Sequence, residues 1–267
     1  MTTKLVVFTD IHFSVDHLDR AINPVERLTQ GLDHVAKYNS DLFQIIITGD
    51  LTHNGDINSY KLLHDTLGAY HFPIELMVGN HDNRENFLSV FPETSTDENG
   101  FIQKVIDLAA YRLILLDTLD GPPYDYPLSH RGMLCNKRLE WLEQQLSSAN
   151  GKDCIIFMHH HPHDVGFKAM DTIKLVNGEA FYQVLSRHQN VKHISCGHVH
   201  RTISGQHRGI PFSVFKSTVG QMPMIFKTMD FHAETDEPAA YGIIELTESG
   251  ITVHTEDYCL TDLDQYL

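Results

Sequence analysis

KLVVFTDIH, residues 4–12, decides how the chain is read. A β-branched and aromatic run of the kind that favours strands stops at an aspartate, and a histidine follows two positions later. The pattern recurs four times. LFQIIIT (42–48) ends in Gly49-Asp50, and IELMV (74–78) ends in Gly79-Asn80-His81-Asp82. CIIFM (154–158) runs into His159-His160-His161-Pro162, and KHISC (192–196) runs into Gly197-His198-Val199-His200. Five apolar runs each terminate in metal-binding side chains.

Helical patterns separate these runs, and that alternation is the signature of α/β layers. Pro24 opens a helix through Tyr38, with Val25, Leu28, Leu32 and Val35 three or four apart. Asp56 is placed as the N-cap of a helix carrying Tyr60, Leu63 and Leu67. FIQKVIDL (101–108) and YRLILLDT (111–118) read as an antiparallel pair. Helices are expected over Lys137–Leu146 and Leu175–His188, and ISG, IPFSVF, YGIIEL and ITVHTE supply further strands. Side chains at the carboxyl ends of neighbouring strands in such a sheet converge on one crevice. Converging imidazoles and carboxylates suit transition metals.

The bulk numbers narrow the function class. The chain has 267 residues, 42% of them hydrophobic and 21% charged, and its net charge is −15. An acidic chain without a Lys/Arg cluster is a poor partner for long nucleic acid, although bound divalent cations still attract a small anion. Four cysteines without C-x-x-C spacing read as reduced thiols. No run approaches the length of a membrane span, so a cytoplasmic location is expected.

Taken in order, Asp10-x-His12, Gly49-Asp50, Gly79-Asn80-His81-Asp82, His160-x-Pro162 and Gly197-His198-x-His200 resemble the five metal-binding motifs of the calcineurin-like metallophosphoesterases. GDLTHNGD (49–56) also matches the usual extension of the second motif. Within the superfamily, the chain looks closest to the bacterial class III cyclic-nucleotide phosphodiesterases and the glycerophosphodiesterases. GMLCNKRLEWLEQQL (132–146) is similar to a segment of those enzymes.

The resemblance implies a four-layer αββα sandwich of two mixed β-sheets flanked by helices. Residues 1–215 would form the catalytic domain, and 216–267 a C-terminal cap or edge-strand segment completing it. It also implies two divalent or mixed-valence metals (Fe, Mn, Zn or Co). One would be held by Asp10, His12 and His200, the other by Asn80, His160 and His198, with Asp50 bridging. The implied reaction is in-line attack of a metal-bridging hydroxide on a small phosphodiester, a cyclic nucleotide or a glycerophosphodiester. Two cations roughly 3.5–4 Å apart clamp the attacking and leaving sides of such a displacement.

His81 is then expected to contact substrate and to stabilise or protonate the leaving group, with Asp82 orienting it through its second ring nitrogen. Asn80 and His163 are the other expected substrate contacts. His159 is the alternative to His160, because strand-end geometry shifts easily by a residue.

Plainer fates compete for the remaining residues. His17, His34, His64, His71, His188 and His193 read as surface residues, and Phe13 as a stacking ring or a core residue. Met222, Met224, Met229, Phe226 and Phe231 read as an apolar wall for a nucleobase or, in preference, as packing beneath a cap or a dimer contact. His232, in the irregular stretch 220–238, is a weaker substrate candidate. The alternatives to a phosphodiesterase are a phosphomonoesterase on the same fold and a non-catalytic metal-binding scaffold. A homodimer or higher assembly is compatible with the C-terminal segment.

Overall fold

The computed structural model describes residues 2–18, 21–124, 130–260 and 263. Its strands are β1 (Thr3–Phe8), β2 (Gln44–Ile47), β3 (Ile74–Leu76), β4 (Lys104–Asp107), β5 (Tyr111–Leu116), β6 (Asp153–Met158), β7 (Val191–Cys196), β8 (Ile203–His207), β9 (Ile210–Val214), β10 (Tyr241–Thr247) and β11 (Gly250–Glu256). The α-helices are α1 (Pro24–Tyr38), α2 (Ile57–Leu67), α3 (Arg84–Val90), α4 (Asn136–Ser147), α5 (Lys168–Asp171) and α6 (Gly178–Leu185). The strands form two mixed sheets, ordered β11-β10-β1-β2-β3 and β4-β5-β6-β7-β9-β8. β1, β2 and β3 run parallel in the first sheet, as β5, β6, β7 and β9 do in the second.

The period of two along each strand builds the layers. On β1, Leu5 and Val7 face the second sheet, where they meet Leu113, Ile155 and Phe157. Val6 and Phe8 face the other way, onto Leu28, Leu32 and Val35 of α1. On β6, Ile155 and Phe157 point into the layer between the sheets, whereas Cys154, Ile156 and Met158 pack under α4 and α6. The expected αββα sandwich is therefore the observed one. From the C-terminal stretch, β10 pairs antiparallel with β1 and β11 with β10.

The helix ends follow local chemistry. Asp56 caps α2 by accepting from the Ser59 amide at 2.9 Å. The helix expected from Leu175 begins only at Gly178, because Leu175 donates its amide across the chain to the His161 carbonyl. No helix among the described residues is long and apolar enough to cross a membrane.

Candidate metal centre

The five strand ends deliver their polar residues to one place, beside a cavity of about 470 Å³ lined by His12, Asp50, Asn80, His81, His198 and His200. Seven described non-glycine residues have positive φ, and Asp10, His12, Asp50, His198 and His200 are five of them, at 45° to 69°. A left-handed residue other than glycine costs about 1–2 kcal/mol, so the loops turn against their own preference at the points where these side chains enter the site. Such strain persists where the surroundings over-determine it. Here the Asp10 amide donates to the Gly49 carbonyl and the His12 amide to that of Asp50, both at 3.0 Å. A Cβ on Gly79 would collide with the Asp50 carboxylate and with His159, so the third loop needs glycine to approach the second.

Each carboxylate is anchored mainly through one oxygen and faces imidazoles through the other, although Asp10 Oδ1 also accepts from the His198 amide at 3.2 Å. Asp10 Oδ2 accepts from Thr9 Oγ1 (2.7 Å) and the His198 amide (2.9 Å), while Oδ1 lies 3.3 Å from His200 Nε2 and 3.8 Å from His159 Nε2. Asp50 Oδ1 accepts from the His81 amide at 2.9 Å, while Oδ2 lies 3.3 Å from His159 Nε2 and 3.7 Å from His12 Nε2. Asp50 thus stands between the two groups of imidazoles.

The imidazoles are anchored by the same logic. His159 Nδ1 donates to the Thr48 carbonyl (3.0 Å), His200 Nδ1 to that of Gly220 (2.9 Å), and His198 Nε2 to that of Ile173 (3.1 Å). Donation from one nitrogen leaves a lone pair on the other, as in histidines that bind metals. The free nitrogen of His159 lies 3.2 Å from Asn80 Oδ1, and that of His200 lies 3.1 Å from His12 Nε2. A proton on His159 or on His12 Nε2 turns these contacts into hydrogen bonds, and a divalent cation can take the place of that proton.

With protons as the only cations, burial disfavours charge on His159, yet Asp50 and Asp10 outweigh it and raise its pKa to about 9. His200 rises to about 9 in the same way, through Asp10. These contacts hold both aspartates below the usual carboxylate range although burial opposes it. Burial and neighbouring imidazoles push His12 and His198 well down. A site that draws protons onto its histidines draws divalent cations for the same reason.

The donor sets fit. Asp10, His12 and His200 bring one ligand atom each within 4.8 Å of one another, and so do Asp10, Asp50 and His159, and His159, His160 and His198. Nitrogen and carboxylate donors in such groups suit divalent transition metals.

Several expectations require correction. His159, not His160, faces Asp50 and Asn80. His160 turns its Nδ1 to Thr118 Oγ1 (2.8 Å), and its Nε2 is buried without a hydrogen-bond partner among the described residues. Asp82 does not pair with His81. Its oxygens accept from the amides of Leu51, Thr52 and Gly79 and from the Tyr60 hydroxyl, while His81 Nδ1 donates to the His53 carbonyl at 2.8 Å. Asp82 is a tie between two loops, and burial together with Asp50 lifts its pKa to about 6.

His163 is turned away from the cavity. Its Nδ1 meets the Tyr182 hydroxyl at 2.8 Å and its ring stacks on His207 at 4.2 Å. Phe13 and His193 are buried, so the core reading of the first holds and the surface reading of the second does not. Met222 and Phe231 line the cavity, whereas Met224, Phe226 and Met229 are each more than half exposed, Phe226 resting against the Phe167 ring at 4.9 Å.

The structure also adds residues. His53, His130 and Glu234 line the cavity, as do His17, expected at the surface, and His232, the weaker substrate candidate. His53 stacks on His81 at 5.3 Å, and His130 Nδ1 lies 3.1 Å from Asn80 Nδ2. His53 stood inside the quoted GDLTHNGD and its place there was the available signal. His130 carried none.

Fold and donor set together define a metallophosphoesterase, a hydrolase built around divalent cations. The chain belongs to the calcineurin-like phosphoesterases, whose family profile matches residues 3–202. It is 34% identical over 253 residues to a probable cyclic nucleotide phosphodiesterase of Rhodopseudomonas palustris, covering 94% of this chain and 91% of that one. It is 34% identical over 216 residues to a probable glycerophosphodiester phosphodiesterase GpdQ of Arcobacter nitrofigilis, covering 79% and 76%. It is 30% identical to a 3′,5′-cyclic adenosine monophosphate phosphodiesterase CpdA of Vibrio vulnificus, covering 88% and 82%. Among solved structures, a dimetal phosphatase from Danio rerio shares the fold with a TM-score of 0.69 at 17% identity, covering 95% of this chain and 98% of that one.

Proposed function

We propose that the protein hydrolyses small, singly charged phosphodiesters at two divalent metals. Asp10, His12 and His200 would hold one metal, Asn80, His159 and His198 the other, and Asp50 would bridge. The observation that carries this reading is the convergence of Asp10, His12, Asp50, His159, His198 and His200, whose ligand atoms form overlapping groups within 4.8 Å, with Asn80 Oδ1 3.2 Å from His159 Nε2. When bound, such metals supply positive charge for the phosphoryl oxygens and lower the pKa of a bound water. The ligand set accepts Fe, Mn, Zn or Co.

The chain's own groups would do the rest. The His53 carbonyl fixes the proton of His81 on Nδ1, so Nε2 is the nitrogen left to donate to the leaving oxygen when the ring is charged. No Lys or Arg lines the cavity among the described residues. That suits a diester with one negative charge better than a monoester with two. The relatives' names point the same way, toward cyclic nucleotides or glycerophosphodiesters. The four free cysteines support a reducing, cytoplasmic compartment.

The test is a hydrolysis panel on Mn-loaded protein, comparing an aryl phosphodiester, its monoester, 2′,3′- and 3′,5′-cyclic nucleotides, and glycerophosphodiesters. Diester turnover well above monoester turnover is the expected result, and the best natural diester names the branch. Monoester preference would make the protein a phosphomonoesterase. Two bound metals with no turnover of any ester would make it a scaffold.

A further inference from the structure

Asn80 enters the metal centre through an amide, and an amide has two unlike ends. Half a turn about its last torsion exchanges Oδ1, which can bind a cation, for an NH2 group, which offers only donors. The two orientations have nearly the same shape, so packing does not choose between them. A hydrogen-bond acceptor at the far end does. Asn80 Oδ1 lies 3.2 Å from His159 Nε2, and at the other end Nδ2 lies 3.1 Å from His130 Nδ1.

Both residues are buried, Asn80 at 8% and His130 at 5% exposure, where an amide donor needs a fixed partner. The Nδ2 amide group of Asn80 can donate here to a lone pair on His130 Nδ1. If the amide turned over, its oxygen would face that lone pair, and its NH2 would face the cation.

We infer that His130 is the positioning residue of the second metal site. It holds Asn80 with the oxygen toward the metal, and it does so as a neutral imidazole accepting at Nδ1. The inference rests on the two-metal reading above. His130 stands in the same relation to Asn80 as the Gly220 and Thr48 carbonyls stand to His200 and His159: each fixes which atom of a ligand side chain is presented. It differs from them in being a side chain, and therefore replaceable.

Loss of turnover in a His130 variant would not identify this role, because the ring also lies 5.5 Å from those of His81 and Phe231 and lines the cavity. Metal binding identifies it. The experiment is calorimetric titration of the metal-stripped full chain with Mn, comparing wild type with His130→Leu and His130→Asn. Leucine keeps most of the volume and removes the acceptor. Asparagine places an oxygen near the position of the imidazole Nδ1.

Loss of such a supporting partner typically weakens metal binding by about 10- to 100-fold. The expected result is that weakening at one of two sites in His130→Leu, little change at the other, and recovery of most of the loss in His130→Asn. Two metals in wild type with neither site altered in His130→Leu would overturn the inference alone, as would a rise in KM with metal binding intact, which would make His130 a substrate contact. A single metal in wild type would overturn the two-metal reading and this inference with it.

Discussion

Asp50 offers one oxygen to the His81 amide and the other to His159 and His12, so in the proposed two-metal arrangement its removal would strip both metals of a shared ligand. We expect Asp50→Ala to bind fewer than two metals by elemental analysis and to lose all measurable turnover, and Asn80→Ala to lose one metal. His81→Ala should keep its metals while kcat falls about 10²- to 10³-fold, the scale of a missing proton donor; metal loss matching that of Asn80→Ala would make His81 a ligand. His193 is a separate case. Burial lowers its pKa to about 4, and its Nε2 meets Ser213 Oγ at 2.9 Å. The folded chain therefore takes up this proton later than the unfolded chain, whose histidine titrates near about 6.5. The linked stability is present in full above that pH and is lost as pH falls through the window to about 4, amounting to about 3 kcal/mol. In His193→Gln, urea unfolding followed across that range should show a shallower decline. An identical slope would remove His193 as the cause.

Between elements, the loop that carries Asn80 and His81 is tied on both sides. Asp82 binds it to the loop after β2 through the amides of Leu51 and Thr52 and to α2 through the Tyr60 hydroxyl, and Arg84, at the start of α3, forms a bidentate pair with Asp117 beyond β5 at 2.7 Å. That pair joins the two sheets beside the site. Removing one partner of a buried pair costs about 3–5 kcal/mol. Arg84→Ala should fall near the lower figure, because Arg138 stays 3.6 Å from Asp117. A shift of the urea midpoint corresponding to less than about 1 kcal/mol would place the pair among the ordinary surface bridges. The sequence announced the strands, since their β-branched runs admit few other fates, and it announced that their ends carry ligands. It did not announce the ties. Arg84 and Asp117 are 33 residues apart, and nothing local marks either one.

For the whole molecule, five strained residues at three strand ends and a crowd of buried imidazoles and carboxylates are held in a geometry that suits cations. Metal binding to the folded chain alone should therefore stabilise it, by about 2.7 kcal/mol for each metal at a hundred times its Kd. Chelation should lower Tm by about 10 °C or more, at about 2–4 °C per kcal/mol for a chain of this size, and added Mn should restore it. A Tm indifferent to chelator would mean that the folded chain holds no metal under those conditions, against the metal reading.

The sequence by itself determined the α/β layering, the five strand ends and the kinds of ligand they carry, because short apolar, β-branched runs and the residues that stop them are local properties. Only the tertiary structure decided which histidine after β6 faces the second loop. Ile155 and Phe157 point between the sheets, and His159 continues their side of the strand toward Asp50 and Asn80, while His160 continues the side of Cys154, Ile156 and Met158. Both faces of β6 are apolar, so the pattern holds no mark of which is inner. That parity is fixed when the second sheet closes over the first.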